Sequence, residues 1–116
     1  MSKPRRDKDY LSDIHEAMQR IVAFTTGVSY EEFLSDLKTQ DAVIRNMQVM
    51  GEAAKKLSAH LKLAYPHIPW KEMAGIRDKI VHEYFGINYD VVWTVAKEEL
   101  PSLLAQIDAV RAEQEE

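Results

Sequence analysis

The sequence predicts an all-α fold, an antiparallel bundle of four or five helices joined by short loops. Three observations carry that expectation. Apolar residues recur at steps of three and four along most of the chain. No segment keeps a period of two for long, and no Asn-Gly or Asp-Gly hairpin turn is present. Only four Gly and four Pro punctuate the 116 residues, 46% of which are apolar, so that one compact domain spanning 1–116 can bury a core. Its polar ends, about residues 1–7 and 111–116, are expected to fray.

The first helix carries Leu11, Ile14, Met18, Ile21 and Val22 on one stripe, with Asp13, Glu16 and Arg20 on other faces and Gly27 closing it. Ser29 and Glu32 have the spacing of a capping box, which opens a short helix from about Tyr30 to Asp36. Val43, Met47, Met50, Ala54, Leu57 and Leu61 continue as the seam of one long helix. Gly51 lies within that seam despite its poor helix propensity, which suggests a close helix crossing.

Tyr65-Pro66-His67-Ile68-Pro69 breaks the chain, and Pro69 suits the first turn of a fourth helix carrying Trp70, Met73, Ile76 and Ile80. Gly86 is expected to stop that helix. A last helical stretch begins at Asn88 or Asp90 and runs through Val91, Val92, Val95, Leu100, Leu103, Leu104, Ile107 and Val110. Pro101 must kink or divide it, because it lacks the N–H that the ladder needs.

The net charge of -4 and pI near 5.6 argue against a nucleic-acid binder built on a broad basic surface, so any RNA contact must be local. With no cysteine, disulfides, thiolate metal sites and Cys nucleophiles are excluded together. The basic start Met1-Ser2-Lys3-Pro4-Arg5-Arg6 has no apolar run suited to a secretory signal, and no run is long enough to span a bilayer. A cytoplasmic location away from membranes is expected. His60 and His67 lack His-x3-His spacing, and no Walker loop, dinucleotide-binding Gly pattern or Gly-x-Ser-x-Gly elbow is present.

One segment is chemically pointed: Arg77-Asp78-Lys79-Ile80-Val81-His82-Glu83-Tyr84. It combines a permanent cation, the side chain that titrates near neutrality and a phenol, which suits work on a phosphodiester. On a continuous helix Arg77 and Tyr84 would stand roughly 20° apart and His82 roughly 140° from Arg77. Trp70, Val81 and Phe85 would then form a second apolar face that a second copy of the chain could cover, bringing two Arg/His sets to one cleft. Asp78 is a candidate to orient the imidazole, and Arg45, Asn46 and Glu52 to border the cleft or bond Arg77, although intrahelical pairing on a solvated face is the more frequent outcome for such residues. Lys55-Lys56 and the basic Lys3, Arg5, Arg6 and Lys8 are candidates to guide RNA. The spacing alone fits a salt-bridged arginine and a solvated helix face more readily than a catalytic site.

The stretch from Trp70 to Trp93 resembles the HepT-like branch of the HEPN helical domains, as do Ala42-Val43-Ile44-Arg45-Asn46, Gly51-Glu52-Ala53-Ala54-Lys55-Lys56-Leu57 and Asp7-Lys8-Asp9-Tyr10-Leu11. The similarity spans nearly the whole chain. It implies a homodimer with Arg-x4-His motifs lining a shared cleft, and a metal-independent endoribonuclease that is the toxin of a type VII toxin-antitoxin pair. It further implies an antitoxin, a minimal nucleotidyltransferase of the MntA type, that transfers AMP from ATP to the motif tyrosine. Onto this chain the motif maps as Arg77, His82 and Tyr84, with no metal and no resident cofactor. The substrate would be tRNA or mRNA, cleaved by its own 2'-hydroxyl to leave a 2',3'-cyclic phosphate. A reading from a different class remains: a catalytically silent helical module that binds a nucleotidyltransferase or a nucleotide.

Overall fold

A computed structural model of the chain describes residues 4–82 and 86–115, with His82 described by its backbone alone. The first helix, α1 (Asp7–Thr25), buries Leu11, Ile14, Met18 and Ile21 completely. Each such side chain removed from water contributes about 1.5–3 kcal/mol before chain entropy is set against it. The Asp9 carboxylate accepts from the Arg6 N–H at 2.9 Å, satisfying an amide at the helix start, and this bond holds the carboxyl below the usual carboxylate range. Beyond Thr25 the chain reverses through Gly27, whose φ of 75° is the left-handed conformation glycine adopts without strain.

The predicted capping box is present. In α2 (Tyr30–Ser35) the Glu32 N–H donates to Ser29 Oγ and the Ser29 N–H donates to Glu32 Oε1, each at 3.1 Å. The carbonyls at the end of α2 are satisfied from the next helix: buried Gln40 donates through Nε2 to the Phe33 and Leu34 oxygens at 2.9 and 3.0 Å. Phe33 stacks against Trp93 at a centroid distance of 5.1 Å and meets Tyr89 edge-on at 6.4 Å, which ties α2 to the last third of the chain.

The long seam is divided. Helix α3 (Leu37–Lys56) ends before Leu57, and Leu61 belongs to a separate short helix, α4 (Ala59–Ala64). Both leucines are buried, so their spacing reported burial correctly and continuity wrongly. Ser58 makes the break: its Oγ accepts from the Leu61 N–H, while its own N–H and hydroxyl donate to the Asp7 carboxylate at 2.9 and 2.6 Å. That carboxylate lies on the first turn of α1, so the cap is tertiary.

The helix expected from Pro69 to Gly86 is also divided. Helices α5 (Trp70–Ala74) and α6 (Ile76–Ile80) meet at Gly75, which ends one and starts the other. The chain is extended from Val81, with φ -97° and ψ 121°, and the pair β1 (Val81–His82) and β2 (Gly86–Ile87) forms a two-stranded antiparallel ladder. Gly86 therefore does not stop the helix. It lies in the ladder at φ 78°, opposite His82. Trp70 is buried rather than exposed, and its indole N–H donates to the Tyr65 carbonyl at 3.0 Å. It offers no face to a second copy, and Phe85 lies outside the described residues.

Asn88 caps α7 (Tyr89–Thr94) through its side chain, and a π-turn over Val95–Glu99 leads into α8 (Leu100–Gln114). Pro101 divides the helical stretch as expected, sitting in the first turn of α8 where its missing N–H costs least. The end of α8 is held: the Tyr65 hydroxyl donates to Glu113 at 2.5 Å and accepts from Gln114 at 3.2 Å. The Glu113 bond pushes the phenol's pKa up. The helix continues past Val110 to Gln114. The buried apolar side chains form one cluster, with α1 packed along α3 and α8.

Candidate active site

Arg77 owes its position to the two residues that flank it on the core side of α6. Ile76 and Ile80 are buried, and α6 is drawn against α3 where Gly51 leaves room. A Cβ at Gly51 would lie 2.8 Å from Ile76 Cγ2 and 3.2 Å from the Met73 carbonyl oxygen, inside normal contact. The close crossing inferred from Gly51 is thus the contact that seats the motif helix. The Arg77 side chain is exposed, on the outer side of that seat.

Two depressions meet at Arg77. The first, of about 500 Å³, lies between α1, α3 and the α5–α6 corner and is lined by Arg5, Arg45, Lys55, Lys56 and Arg77. Its carboxylates are Asp13 and Glu52, which pair with Arg5 at 2.8 Å and Lys55 at 3.3 Å. The second, of about 380 Å³, is lined by Lys55, Gly75, Arg77, Asp78 and Val81. In a chain of net charge -4 this is a local concentration of cations.

The structure brings Arg45 and Glu52 into one cleft with Arg77, and sets Asp78 in the adjoining depression. Asn46 is buried instead, with its amide donating to the Ala42 carbonyl at 2.8 Å. The backbone of His82 pairs with Gly86 on the ladder, and the Asn88 N–H donates to the Ile80 carbonyl at 2.7 Å, closing the base of the segment. Tyr84 lies outside the described residues. The helical-wheel angles between Arg77, His82 and Tyr84 no longer apply, because the helix ends at Ile80.

The cleft also contains Tyr10, which spacing did not single out; the Arg5 guanidinium stands 5.1 Å from its ring centroid. No local signal placed the chain's start beside residues 52–56, since the Asp7–Ser58 bonds that do so join positions 51 apart. Among the described residues no group of three His, Asp or Glu side chains converges as a metal site. Chemically, the cleft can hold an anionic backbone through several cations, one of which, Arg77, can offer paired donors to phosphate oxygens.

Residues 14–110 match the family described as ribonuclease HepT-like. "Probable ribonuclease HepT" of Thermococcus cleftensis is 47% identical over 107 residues, covering 92% of this chain and 97% of that protein. "Putative RNase MJ0127" of Methanocaldococcus jannaschii is 44% identical over 108 residues, covering 92% of this chain and 89% of that one. No solved structure matches the chain at a significant level.

Proposed function

The chain belongs to the ribonuclease HepT-like family, and from that premise we propose that it is a metal-independent endoribonuclease whose motif is Arg77 and His82. The observation that supports this most directly is the placement of Arg77 on the wall shared by two cation-lined depressions, one of which ends at Val81. RNA supplies its own nucleophile, the 2'-hydroxyl. Its attack on the adjacent phosphorus forms a pentacoordinate phosphorane and then expels the 5'-oxygen, leaving a 2',3'-cyclic phosphate and a 5'-hydroxyl. Arg77 pairs with the non-bridging oxygens as charge accumulates on them. His82 is the residue type suited to accept or return the proton near neutrality, since a free imidazole titrates at about 6.5.

In-line cleavage needs a base for the 2'-hydroxyl and an acid for the departing 5'-oxygen, and each chain's motif supplies one imidazole. A homodimer that faces two motifs across one cleft provides both. The biological role we propose is that of the toxin in a type VII toxin-antitoxin pair. Its partner is a minimal nucleotidyltransferase that attaches AMP from ATP to Tyr84. The added phosphodiester would bring negative charge and bulk into the region that the substrate phosphate must enter, within two residues of His82 in sequence.

The test is cleavage of an end-labelled tRNA and mRNA panel in EDTA, beside a folded His82→Ala protein. Cyclic-phosphate ends that depend on His82 and on the substrate's 2'-hydroxyl are expected. Cleavage of the matching DNA sinks the mechanism. Inactivity of protein whose intact mass shows an unmodified Tyr84 favours the silent interaction module instead.

A further inference from the structure

We infer that the start of α1 and the end of α3 form a track for a single-stranded RNA backbone, running from Arg77 to the arm that precedes α1. The inference rests on the ribonuclease reading for the identity of the polyanion. Its geometry comes from the way the depressions join. Lys55 and Arg77 belong to both depressions described above. Arg5, Tyr10 and Lys56 belong both to the 500 Å³ cleft and to a further hollow of about 560 Å³ that also contains Arg6 and Lys8. The three therefore form one surface path, with Val81 at one end and the N-terminal arm at the other.

The charge along the path is opposite to that of the chain. Seven basic and four acidic side chains line it, whereas the whole sequence has 15 basic and 19 acidic residues. Asp13 and Glu52 are paired with Arg5 and Lys55, and Asp7 accepts from Ser58, so the path keeps an excess of basic side chains after its ion pairs are set aside. The path is also built rather than incidental. The two Asp7–Ser58 bonds hold the first turn of α1 on the α3–α4 junction, setting Arg5 beside Lys56.

Cations lining hollows that join end to end suit one strand, whose phosphates they can follow without reading bases. A single strand also suits the chemistry, since in-line attack requires a 2'-hydroxyl free to leave the A-form geometry. Lys55 and Lys56 are the central positions of the track. Both are exposed at the last turn of α3, so replacing them leaves the core intact.

Binding and cleavage are measured separately. Fluorescence anisotropy of a labelled single-stranded RNA is followed across a salt series with His82→Ala protein, which binds without cutting. The same protein carrying Lys55→Ala/Lys56→Ala is compared with one carrying the charge-matched Arg20→Ala/Lys38→Ala, both sites lying off the path. Loss of two phosphate contacts should make the negative slope of log K against log salt shallower by about 1.4, at about 0.7 per contact on a single strand. The control pair should leave it unchanged. Equal effects from both pairs, no binding by any form, or a duplex of the same sequence binding as tightly overturns the track. Wild-type protein that cleaves nothing yet binds in a Lys55/Lys56-dependent way sinks the ribonuclease reading and leaves the track standing. Wild-type cleavage with a KM indifferent to Lys55→Ala/Lys56→Ala does the reverse.

Discussion

The two halves of the Arg-x4-His motif rest on different kinds of support. Arg77 stands on a helix whose inward residues, Ile76 and Ile80, are buried, pressed against α3 at a glycine where one extra methyl would collide. His82 stands on a strand of two residues held by the Val81–Ile87 and His82–Gly86 pairings and by the Asn88 bond to Ile80. Val81, Gly86 and Asn88 are all exposed. A segment with few buried apolar contacts opens locally at a lower free energy than the core does. Arg77 is thus fixed by packing, while the backbone at His82 is fixed mainly by hydrogen bonds. Arg77 can therefore stay in place while the Val81–Ile87 ladder opens.

The largest blow to this contrast would come from Ile80, which supports both halves. Ile80→Ala should cost about 2–5 kcal/mol, read by chemical denaturation, with cleavage lost in proportion to the unfolded fraction. A cost under about 1 kcal/mol would mean that α6 is not anchored as described. Gly51→Ala gains about 1 kcal/mol of helix propensity but overpacks the crossing by about 1–3 kcal/mol. A net loss is expected, together with weaker RNA binding as Arg77 shifts. A stabilised protein with unchanged binding would show that the crossing yields easily.

Asn88→Ala removes the side chain that accepts from the Val91 N–H at 3.2 Å and should cost about 1 kcal/mol, the usual value of an N-cap. Its sharper signature is in hydrogen exchange: protection of the Asn88 amide should fall more than that of amides inside α3. Uniform loss would contradict the separation of the two supports. Val81→Thr, at a position 37% exposed, should change stability by less than about 0.5 kcal/mol and so isolate local effects on cleavage.

The parts of this architecture that depend on near neighbours were legible in the sequence. Ser29 and Glu32 announced a capping box, Asn88 a helix start and Gly51 a close approach, and all three are in place. Periodicity failed where a tertiary contact took over from it. The stripe from Val43 to Leu61 reads as continuous because burial keeps the spacing, yet the Asp7 carboxylate that breaks it at Ser58 comes from the other end of the chain. The motif helix was extended past Ile80 for the same reason: an i, i+3, i+4 pattern does not register that β-branched Ile80 and Val81 lead into a ladder closed by Gly86 and Ile87. At the site, Arg45, Asn46 and Glu52 were candidates to border the cleft, and of these Arg45 and Glu52 line it with Arg77 while Asn46 is buried. The sequence could not choose for Arg5 between guiding RNA and a solvated terminus, and its spacing did not single out Tyr10, because their place in the cleft depends on that same distant cap.

The π-turn before α8 has a consequence for angular phase. Its Leu100 N–H reaches back to the Val95 carbonyl, five residues away, so one more residue is accommodated per turn than in an α-helix. The Lys97 amine on this turn donates to the Thr25 carbonyl at 2.9 Å, locking the turn to the end of α1. Without the extra residue, everything after it would rotate by about 100° about the helix axis. Ile107 and Val110, now facing α1 and the core, would swing toward water. The turn therefore works as a phase shifter between two apolar stripes that a single unbroken helix could not align. Deleting one residue between Val95 and Glu99 should damage the fold far more than any single substitution there.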